Sequence, residues 1–316
     1  MQKRKWGVTA PENTVMYLPV GTGCNLRCKY CYFHDQYQIE QANPQIYAQI
    51  LESMTALEPY RILISGGECT LAGIDFFRKI VAIWEQSPSH DNVRHCILTN
   101  GKVVDEAWVD VFVQLEAETS LSIDLPLALT EEYRNISAKH LLGVVDMLRE
   151  RSLVYKITSV VTTSALQRID EIVKQAAMFN DAKRLSLTAC FDGSHQDELQ
   201  VDVDEYLQFL RKVSEKLGKR LKEIDFQGSE YLCPVRYECE GFVFVEASGK
   251  VYLCAGYSAP YDQLEAGMFL WNSPSEFDIN EFRKRKQEAF LGQYDCRFNR
   301  ETVREFMKKF HHGGTK

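Results

Sequence analysis

Short apolar segments alternate with longer amphipathic segments along residues 14–191, and this alternation is the strongest constraint on the fold. Each short segment is rich in β-branched residues and follows a polar or charged stretch, which is typical of a buried parallel strand. The six predicted strands are Thr14–Val20, Arg61–Ser65, Arg94–Thr99, Thr119–Asp124, Tyr155–Thr162 and Arg184–Phe191.

Amphipathic helices are predicted between these strands. The first begins at Pro44, with Asn43 as its N-cap. The others are Ala72–Gln86, Asp105–Leu115, Thr130–Arg151, Ala165–Phe179 and Asp204–Leu221. Repeated β–α units of this length indicate an α/β fold with a parallel sheet and right-handed crossovers. Because six units are too few to close an eight-stranded barrel, we expect a partial (β/α)6 TIM-like barrel, with its chemistry at the carboxyl ends of the strands.

Composition narrows the class of partner. The 316-residue chain has a net charge of −7 with scattered basic residues, so no nucleic-acid partner is expected. No apolar run approaches 18 residues and no signal peptide is recognisable, which predicts a cytoplasmic protein with no membrane partner. Ten cysteines are then an unusual number. In a reducing compartment they indicate metal binding or redox chemistry and not disulfides.

Three cysteines follow the first predicted strand with the spacing C-x3-C-x2-C: Cys24, Cys28 and Cys31. Three thiolates within eight residues can hold an iron–sulfur cluster or zinc. A structural zinc site requires a fourth protein ligand, whereas a cluster on three cysteines leaves one iron open to a small molecule. The spacing alone leaves both metals possible.

The triplet, with Tyr30 directly before Cys31, resembles the motif of the radical S-adenosylmethionine (radical SAM) superfamily. The resemblance implies that Cys24, Cys28 and Cys31 ligate a 4Fe–4S cluster. It also implies that S-adenosylmethionine completes the coordination of the fourth iron and that Tyr30 contacts its adenine. A core aromatic is the alternative role of Tyr30.

A second landmark of that family follows the second strand, where Gly66, Gly67 and Glu68 are succeeded by Cys69. The segment resembles the Gly-Gly-Glu-Pro motif of the family, with Cys69 in the place of proline. Two glycines allow a close approach of the backbone to a ligand. Neighbouring carbonyls or the Glu68 carboxylate can then hold the ammonium group of the cofactor.

Two later strand ends also carry residues that resemble family positions. Asn100 follows the third strand and is expected near the cofactor. Ser122 and Asp124 end the fourth strand, with Arg134 ten residues later, as in the family branch that carries auxiliary clusters, and the resemblance implies that all three bind the cofactor. There Ser122 is expected to bond the ribose hydroxyls and Arg134 to pair with the cofactor carboxylate. A simple turn at Asn100 and a solvated Arg134 are the alternatives.

The alternation of predicted strands and helices ends near residue 222, so we divide the chain into a barrel (1–222) and a smaller domain (223–316). In the second part, Cys239-x9-Gly249-x4-Cys254 resembles the opening of the SPASM and Twitch auxiliary-cluster domains. A hairpin is expected there, with its turn at Gly249. The single late cysteine, Cys296, favours the smaller Twitch type. Cys233 is the candidate fourth ligand of this second 4Fe–4S cluster, or a hydrogen-atom donor if it is not a ligand. A cluster with an open iron, a zinc knuckle and buried structural thiols remain alternatives.

Cys190 ends the sixth predicted strand, at the mouth of the barrel. By resemblance to radical SAM epimerases, its thiol can donate a hydrogen atom to a substrate radical. A packed structural thiol is the other explanation.

The resemblance implies an oxidoreductase- or epimerase-type enzyme that generates a 5′-deoxyadenosyl radical, takes a hydrogen atom from its substrate and receives electrons from a flavodoxin or ferredoxin. A peptide is the favoured substrate, modified by epimerisation, dehydrogenation or cross-linking. An aminoglycoside or other sugar is the first alternative, and a non-catalytic iron–sulfur or zinc protein is the second.

Overall fold

The computed structural model describes residues 13–31, 37–190, 197–217, 226–227, 242–253 and 269–290. The strands are β1 (Asn13–Tyr17), β2 (Tyr60–Ile64), β3 (Val93–Thr99), β4 (Glu118–Ser122), β5 (Tyr155–Val161), β6 (Arg184–Ala189), β7 (Phe226–Gln227), β8 (Phe242–Val245), β9 (Val251–Tyr252) and β10 (Phe269–Trp271). The helices are α1 (Pro44–Ser53), α2 (Ile74–Glu85), α3 (Glu106–Gln114), α4 (Leu127–Arg134), α5 (Ala138–Glu150), α6 (Thr163–Leu166), α7 (Ile169–Ala176), α8 (Val203–Leu217) and α9 (Ile279–Phe290).

All the described strands form one sheet in the order β10-β9-β8-β1-β2-β3-β4-β5-β6-β7. The pairs from β8 through β1 to β7 are parallel, and β9 is antiparallel to both β8 and β10. In the part of the chain that is described, β7 and β10 are the two edges, so the barrel is not closed. The predicted α/β fold with a partial TIM-like barrel is confirmed.

Local sequence signals fix the helix starts. The Asn43 side chain accepts a hydrogen bond from the Gln45 amide at 3.0 Å, which makes it the N-cap predicted for α1. Asp105 caps α3 in the same way through the amide of Trp108. Each cap satisfies a backbone donor that the first helical turn leaves unpaired.

The predicted helix Thr130–Arg151 is wrong as a single element, because it is interrupted between α4 and α5. Asn135 ends α4 in the left-handed conformation, with φ 54°. Ser137 then starts α5 by accepting from the His140 amide. An asparagine that tolerates positive φ, followed two residues later by a capping serine, breaks a helix that apolar periodicity alone continues. The predicted helix Ala165–Phe179 is likewise divided, into α6, α7 and a short 3₁₀ turn.

The hairpin predicted around Gly249 is present as β8 and β9, and Gly249 has a φ of 90° at its turn. Strand β8 also pairs in parallel with β1, so the barrel sheet continues across the predicted domain boundary near residue 222. The predicted division into two domains stays a prediction.

The two faces of the sheet differ in chemistry. One face packs against the helices and contributes Val15, Tyr17 and Leu121 to the main core. Because side chains alternate along a strand, Met16 and Leu18 lie on the inner face, where they form a second apolar cluster with residues of the hairpin. On β4 to β6 the inner face carries Glu118, Lys156 and Arg184 toward the strand starts and Val160 near the end of β5, and between and beside them lie small hydroxyl-bearing residues, namely Ser120, Ser122, Thr158, Ser186 and Thr188. The barrel interior therefore has an apolar wall and a hydroxyl-bearing wall.

None of the described helices is long and apolar enough to span a lipid bilayer.

Candidate active site

The three-cysteine loop lies directly after β1, at the carboxyl edge of the parallel sheet. Its backbone is held by local bonds: the Cys31 amide donates to the Cys28 carbonyl at 3.0 Å. The Arg27 guanidinium donates to the carbonyls of Cys24 and Leu26, each at 2.8 Å. Cys28 is buried, Cys24 and Cys31 are partly exposed, and all three are free thiols. The sequence therefore folds into a loop that presents three thiols together.

Burial makes two of these thiols, Cys24 and Cys28, poor acids. It raises the pKa of Cys28 from 9.0 to about 12, partly offset by the positive charge of Arg134. Burial also raises the pKa of Cys24. Thiolate is the metal-binding form of cysteine. A cationic group among the three sulfurs would therefore supply the charge that stabilises their ionised form.

The number of donors at the loop favours a cluster over a single ion. A structural zinc site takes four protein ligands, and the loop supplies three thiols. These thiols lie near enough to influence one another electrostatically. A multi-iron cluster offers each cysteine a separate iron, so the donor set fits a 4Fe–4S group better than tetrahedral zinc.

Gly66 and Gly67 lie against the backbone of the cysteine loop. The Gly67 amide donates to the Gly21 carbonyl at 3.0 Å, and the Glu68 amide donates to the Gly23 carbonyl at 2.7 Å. A Cβ on Gly67 would approach the Thr22 carbonyl oxygen to 2.1 Å, which no side chain tolerates. Glycine is thus required here by a close contact within the protein. The predicted contact of Gly66 and Gly67 with a cofactor stays a prediction.

The Glu68 carboxylate is fully buried and braces the ends of β2 and β3. Its Oε1 accepts from the Thr70 amide and hydroxyl and from the Thr99 hydroxyl, at 3.2, 2.7 and 2.7 Å. Its Oε2 accepts from the Asn100 amide at 2.7 Å. Burial raises the pKa of this carboxyl, and the hydrogen bonds act against that shift. The role predicted for Glu68, holding a cofactor ammonium, stays a prediction.

Asn100 connects the end of β3 to the cysteine loop. Its side-chain amide donates to Asn25 Oδ1 at 2.8 Å and lies 3.7 Å from Cys24 Sγ. The Lys102 side chain donates to the Asn25 carbonyl at 2.9 Å. The structure thus places the predicted cofactor residue Asn100 beside a predicted cluster ligand, where it helps to fix the loop.

Asp124 and Arg134 form a buried ion pair. Arg134 Nε and Nη2 donate to the two carboxylate oxygens at 2.9 and 3.0 Å. The Val160 amide donates to Asp124 Oδ1 at 2.9 Å. The Tyr30 hydroxyl donates to Oδ2 at 2.5 Å. Arg134 is the last residue of α4, and the ion pair that it forms with Asp124 fixes the Tyr30 hydroxyl.

These contacts refine three predictions. Arg134 is not a solvated charge, because its side chain is only 9% exposed and pairs with Asp124. Its pairing with a cofactor carboxylate is untested. Tyr30 is almost edge-on to Tyr133, with ring centroids 6.3 Å apart, and its contact with adenine stays a prediction. Ser122 is half-buried at the end of β4, on the inner face.

Cys190 lies directly after β6 and is buried. Its amide donates to the Val161 carbonyl at 2.8 Å, and its carbonyl accepts from the Val201 amide at 3.0 Å. The position is at the carboxyl edge of the sheet, as predicted, but the hydrogen-donor role is untested. The four cysteines of the predicted auxiliary site lie outside the described residues, namely Cys233, Cys239, Cys254 and Cys296.

Two residues near the thiols were not identified from the sequence. Arg27 lies inside the cysteine motif, and its guanidinium carbon is 3.7 Å from the centroid of the Tyr37 ring. Tyr37 falls six residues after the last cysteine of the triplet, beyond the local motif. Only the return of the chain toward β1 brings Tyr37 to the site.

Known proteins with similar sequences include several anaerobic sulfatase-maturating enzymes. The cysteine-type anaerobic sulfatase-maturating enzyme of Clostridium perfringens is 24% identical over 286 residues, which cover 78% of this chain and 75% of the relative. The serine-type anaerobic sulfatase-maturating enzyme of Bacteroides thetaiotaomicron is 28% identical over 131 residues, covering 38% of this chain and 31% of the relative.

Solved structures share the fold. The anaerobic sulfatase-maturating enzyme anSMEcpe with bound S-adenosylmethionine superimposes with a TM-score of 0.70 at 18% identity, covering 93% of this chain and 82% of that one. SuiB of Streptococcus suis bound to the precursor peptide SuiA gives 0.65 at 14% identity, covering 88% and 65%. At these identities the likeness establishes the fold alone.

The sequence profile of the Radical SAM superfamily matches residues 18–176, from the cysteine loop to the end of α7. That match covers slightly more than half of the chain, and it contains the three-cysteine loop and the strand ends that carry Glu68, Asn100 and Asp124. The protein therefore belongs to the radical SAM superfamily, and its cofactors are a 4Fe–4S cluster and S-adenosylmethionine.

Proposed function

We propose that this protein is a radical SAM maturase of the oxidoreductase type, which removes a hydrogen atom from a residue of a peptide or protein substrate. The proposal rests on how far along the chain the sequence similarity to one relative extends. The superfamily profile ends at residue 176, whereas the match to the sulfatase-maturating enzyme of C. perfringens covers 78% of the chain. The likeness to a protein-modifying relative thus extends beyond the part that all superfamily members share.

Cys24, Cys28 and Cys31 hold the cluster in this proposal. When it is bound and reduced, the cluster supplies the electron that cleaves S-adenosylmethionine to methionine and a 5′-deoxyadenosyl radical. The protein orients the substrate carbon and excludes water. Asn100 and Arg27 fix the cysteine loop, and the ion pair of Asp124 with Arg134 fixes Tyr30 beside it.

The inner face of the barrel offers a suitable environment for a reactive radical. Its apolar wall includes Met16, Leu18 and Phe244, which exclude water. Hydroxyls on the opposite wall, including Ser122 and Thr188, can bond to the polar groups of the cofactor or of a peptide backbone. One wall that excludes water and another that orients polar groups are the two requirements of this chemistry.

A second 4Fe–4S cluster is part of the proposal. Its ligands are Cys239, Cys254 and Cys296, with Cys233 as a candidate fourth. The hairpin of β8 and β9, which lies between the first two of these cysteines in the sequence, joins the barrel sheet beside β1. A cluster anchored at this hairpin can accept the second electron of a substrate oxidation. A flavodoxin or ferredoxin is the proposed external electron donor.

Cys190 is the proposed hydrogen donor if the reaction is an epimerisation. Donation of a hydrogen atom by its thiol would quench a substrate radical without net oxidation. A dehydrogenation does not require this thiol. The behaviour of a Cys190 variant therefore distinguishes the two outcomes.

The test uses the full chain, reconstituted anaerobically with iron and sulfide and then supplied with dithionite and S-adenosylmethionine. Synthetic peptides containing cysteine or serine deuterated at Cα and Cβ are added, and 5′-deoxyadenosine is analysed by mass spectrometry. We expect deuterium in 5′-deoxyadenosine and a peptide altered in mass or stereochemistry. The matched control carries alanine at Cys24, Cys28 and Cys31, and we expect no 5′-deoxyadenosine from it.

Two results would contradict the proposal at different levels. Formation of 5′-deoxyadenosine that acquires deuterium from labelled aminoglycosides, but from no peptide, would refute the peptide substrate. No 5′-deoxyadenosine under any condition would refute the enzymatic function. Iron analysis tests the second cluster: we expect about eight iron atoms per chain, falling to about four in the triple alanine variant.

A further inference from the structure

Tyr37 lies where the chain returns past the cysteine loop, and backbone contacts fix its position. The amide of the next residue, Gln38, donates to the Thr22 hydroxyl at 3.0 Å. Ile39 forms an antiparallel bridge with Gly21. A tyrosine held this firmly beside the loop has a defined relation to its thiols.

The aromatic ring of Tyr37 is held by a cation–π contact. The Arg27 guanidinium carbon lies 3.7 Å from the ring centroid, and the same guanidinium donates to the Cys24 and Leu26 carbonyls. One arginine thus connects the ring to the backbone of the cluster-binding motif. Loop and ring are held in a fixed relation to each other, which is the arrangement that a polar contact to the cluster requires.

The hydroxyl of Tyr37 is buried but makes no hydrogen bond of good geometry in the described structure. It faces the thiol of Cys31, with Cys24 and Cys28 also near. A buried hydroxyl without an acceptor costs about 1–3 kcal/mol, so such groups nearly always have a partner. Nearby sulfur is the acceptor that this geometry offers.

We propose that Tyr37 is a positioning residue whose hydroxyl donates a hydrogen bond to the Cys31 sulfur, or to an adjacent sulfide, of the radical SAM cluster. The proposal rests on the cofactor of the superfamily and is independent of the substrate. One-electron reduction by a low-potential donor adds a negative charge to the cluster, and a donor to sulfur stabilises that added charge. Hydrogen bonds to the sulfurs are among the factors that set cluster potentials. Tyr37 therefore raises the potential and makes the cluster easier to reduce.

Tyr37→Phe is the test, because it removes only the hydroxyl and keeps the ring that contacts Arg27. The reconstituted full-length protein is titrated with reductant while the cluster signal that responds to S-adenosylmethionine is followed by electron paramagnetic resonance. We expect the ratio of reduced to oxidised cluster at a fixed potential to fall about tenfold, equivalent to about 59 mV for one electron. Tyr60→Phe is the matched control, because its hydroxyl bonds to the Ile50 carbonyl at the opposite end of the sheet. Its midpoint should equal that of the wild type.

An unchanged midpoint in Tyr37→Phe with normal iron content would overturn the proposal. If that variant loses iron, the midpoint potential is measured instead with 3-fluorotyrosine at position 37. It keeps the shape of tyrosine and makes the hydroxyl a stronger donor, so we expect a higher midpoint than that of the wild type. No shift with fluorotyrosine would overturn the proposal. None of these measurements uses a peptide, so a wrong substrate assignment leaves the result unaffected.

Discussion

Replacing Asp124 with asparagine removes the charge of a buried carboxylate while keeping its size. The carboxylate side chain is 1% exposed and accepts four hydrogen bonds, two of them from Arg134. Asparagine keeps only one acceptor oxygen. Its amide group therefore faces two of the donors whose hydrogen bonds the second carboxylate oxygen accepts in the wild type. The larger effect is that the Arg134 cation remains buried without its counter-charge.

The expected magnitude follows from that isolated charge. Removing one partner of a buried ion pair costs about 3–5 kcal/mol, because the remaining charge is uncompensated. We expect Asp124→Asn and Arg134→Gln each to lower the free energy of unfolding by about that amount. In the double variant the asparagine carbonyl can accept from glutamine and from the Val160 amide, and no buried charge remains. Its loss should therefore be smaller than the sum of the single losses by about 2 kcal/mol or more.

The measurement is urea denaturation at neutral pH under anaerobic conditions, followed by circular dichroism, for the wild type and three variants. Additivity of the two single losses within about 0.5 kcal/mol would refute the coupling, since independent sites add to that precision. A loss below about 1 kcal/mol for Asp124→Asn would show that Asp124 and Arg134 are not a buried, mutually dependent pair.

Three further predictions concern other residues. Burial lowers the pKa of His95 from 6.5 to about 4, so below pH 6.5 the unfolded state binds a proton that the folded state does not. Stability should thus fall by about 2 kcal/mol from pH 7.5 to pH 5, and urea denaturation of His95→Gln should lack that difference. Glu68→Gln should lower the free energy of unfolding by roughly 2 kcal/mol, because the new side-chain amide group then faces the backbone amide of Asn100. An unchanged midpoint of urea denaturation would contradict this. Cys190→Ala should spare formation of 5′-deoxyadenosine but abolish epimerised product, and an undiminished yield would dismiss the donor role.

The six predicted strands agree with the structure within a few residues, because their pattern is local. Apolar β-branched runs bounded by polar residues determine where a buried parallel strand lies. The helix predicted over Thr130–Arg151 failed for a local reason of a different kind. Asn135 caps the end of α4 and Ser137 caps the start of α5, and both residue types are visible in the sequence. The prediction followed the apolar periodicity alone and therefore ran through both caps.

Contacts between residues far apart in the chain could not be predicted from the sequence. The parallel pairing of β8 with β1 joins segments about 230 residues apart, and no local pattern specifies it. The same holds for Tyr37, whose place beside the thiols depends on the bridge between Ile39 and Gly21. The triplet and the strand-end motifs were recognisable because each is contiguous. Their bonds to one another could not be derived from spacing.

Those bonds change how the strand-end residues are understood. Glu68, Asn100 and Asp124 were predicted to face the cofactor, yet each is already engaged by protein donors or acceptors. Buried polar groups satisfied in this way hold a site in one geometry before any ligand arrives. The four acceptor contacts of Glu68 leave little capacity for an ammonium group, so backbone carbonyls near Gly67 are the more available acceptors. The strand-end residues are thus held relative to the cysteine loop by their protein contacts, and their predicted contacts with the cofactor stay predictions.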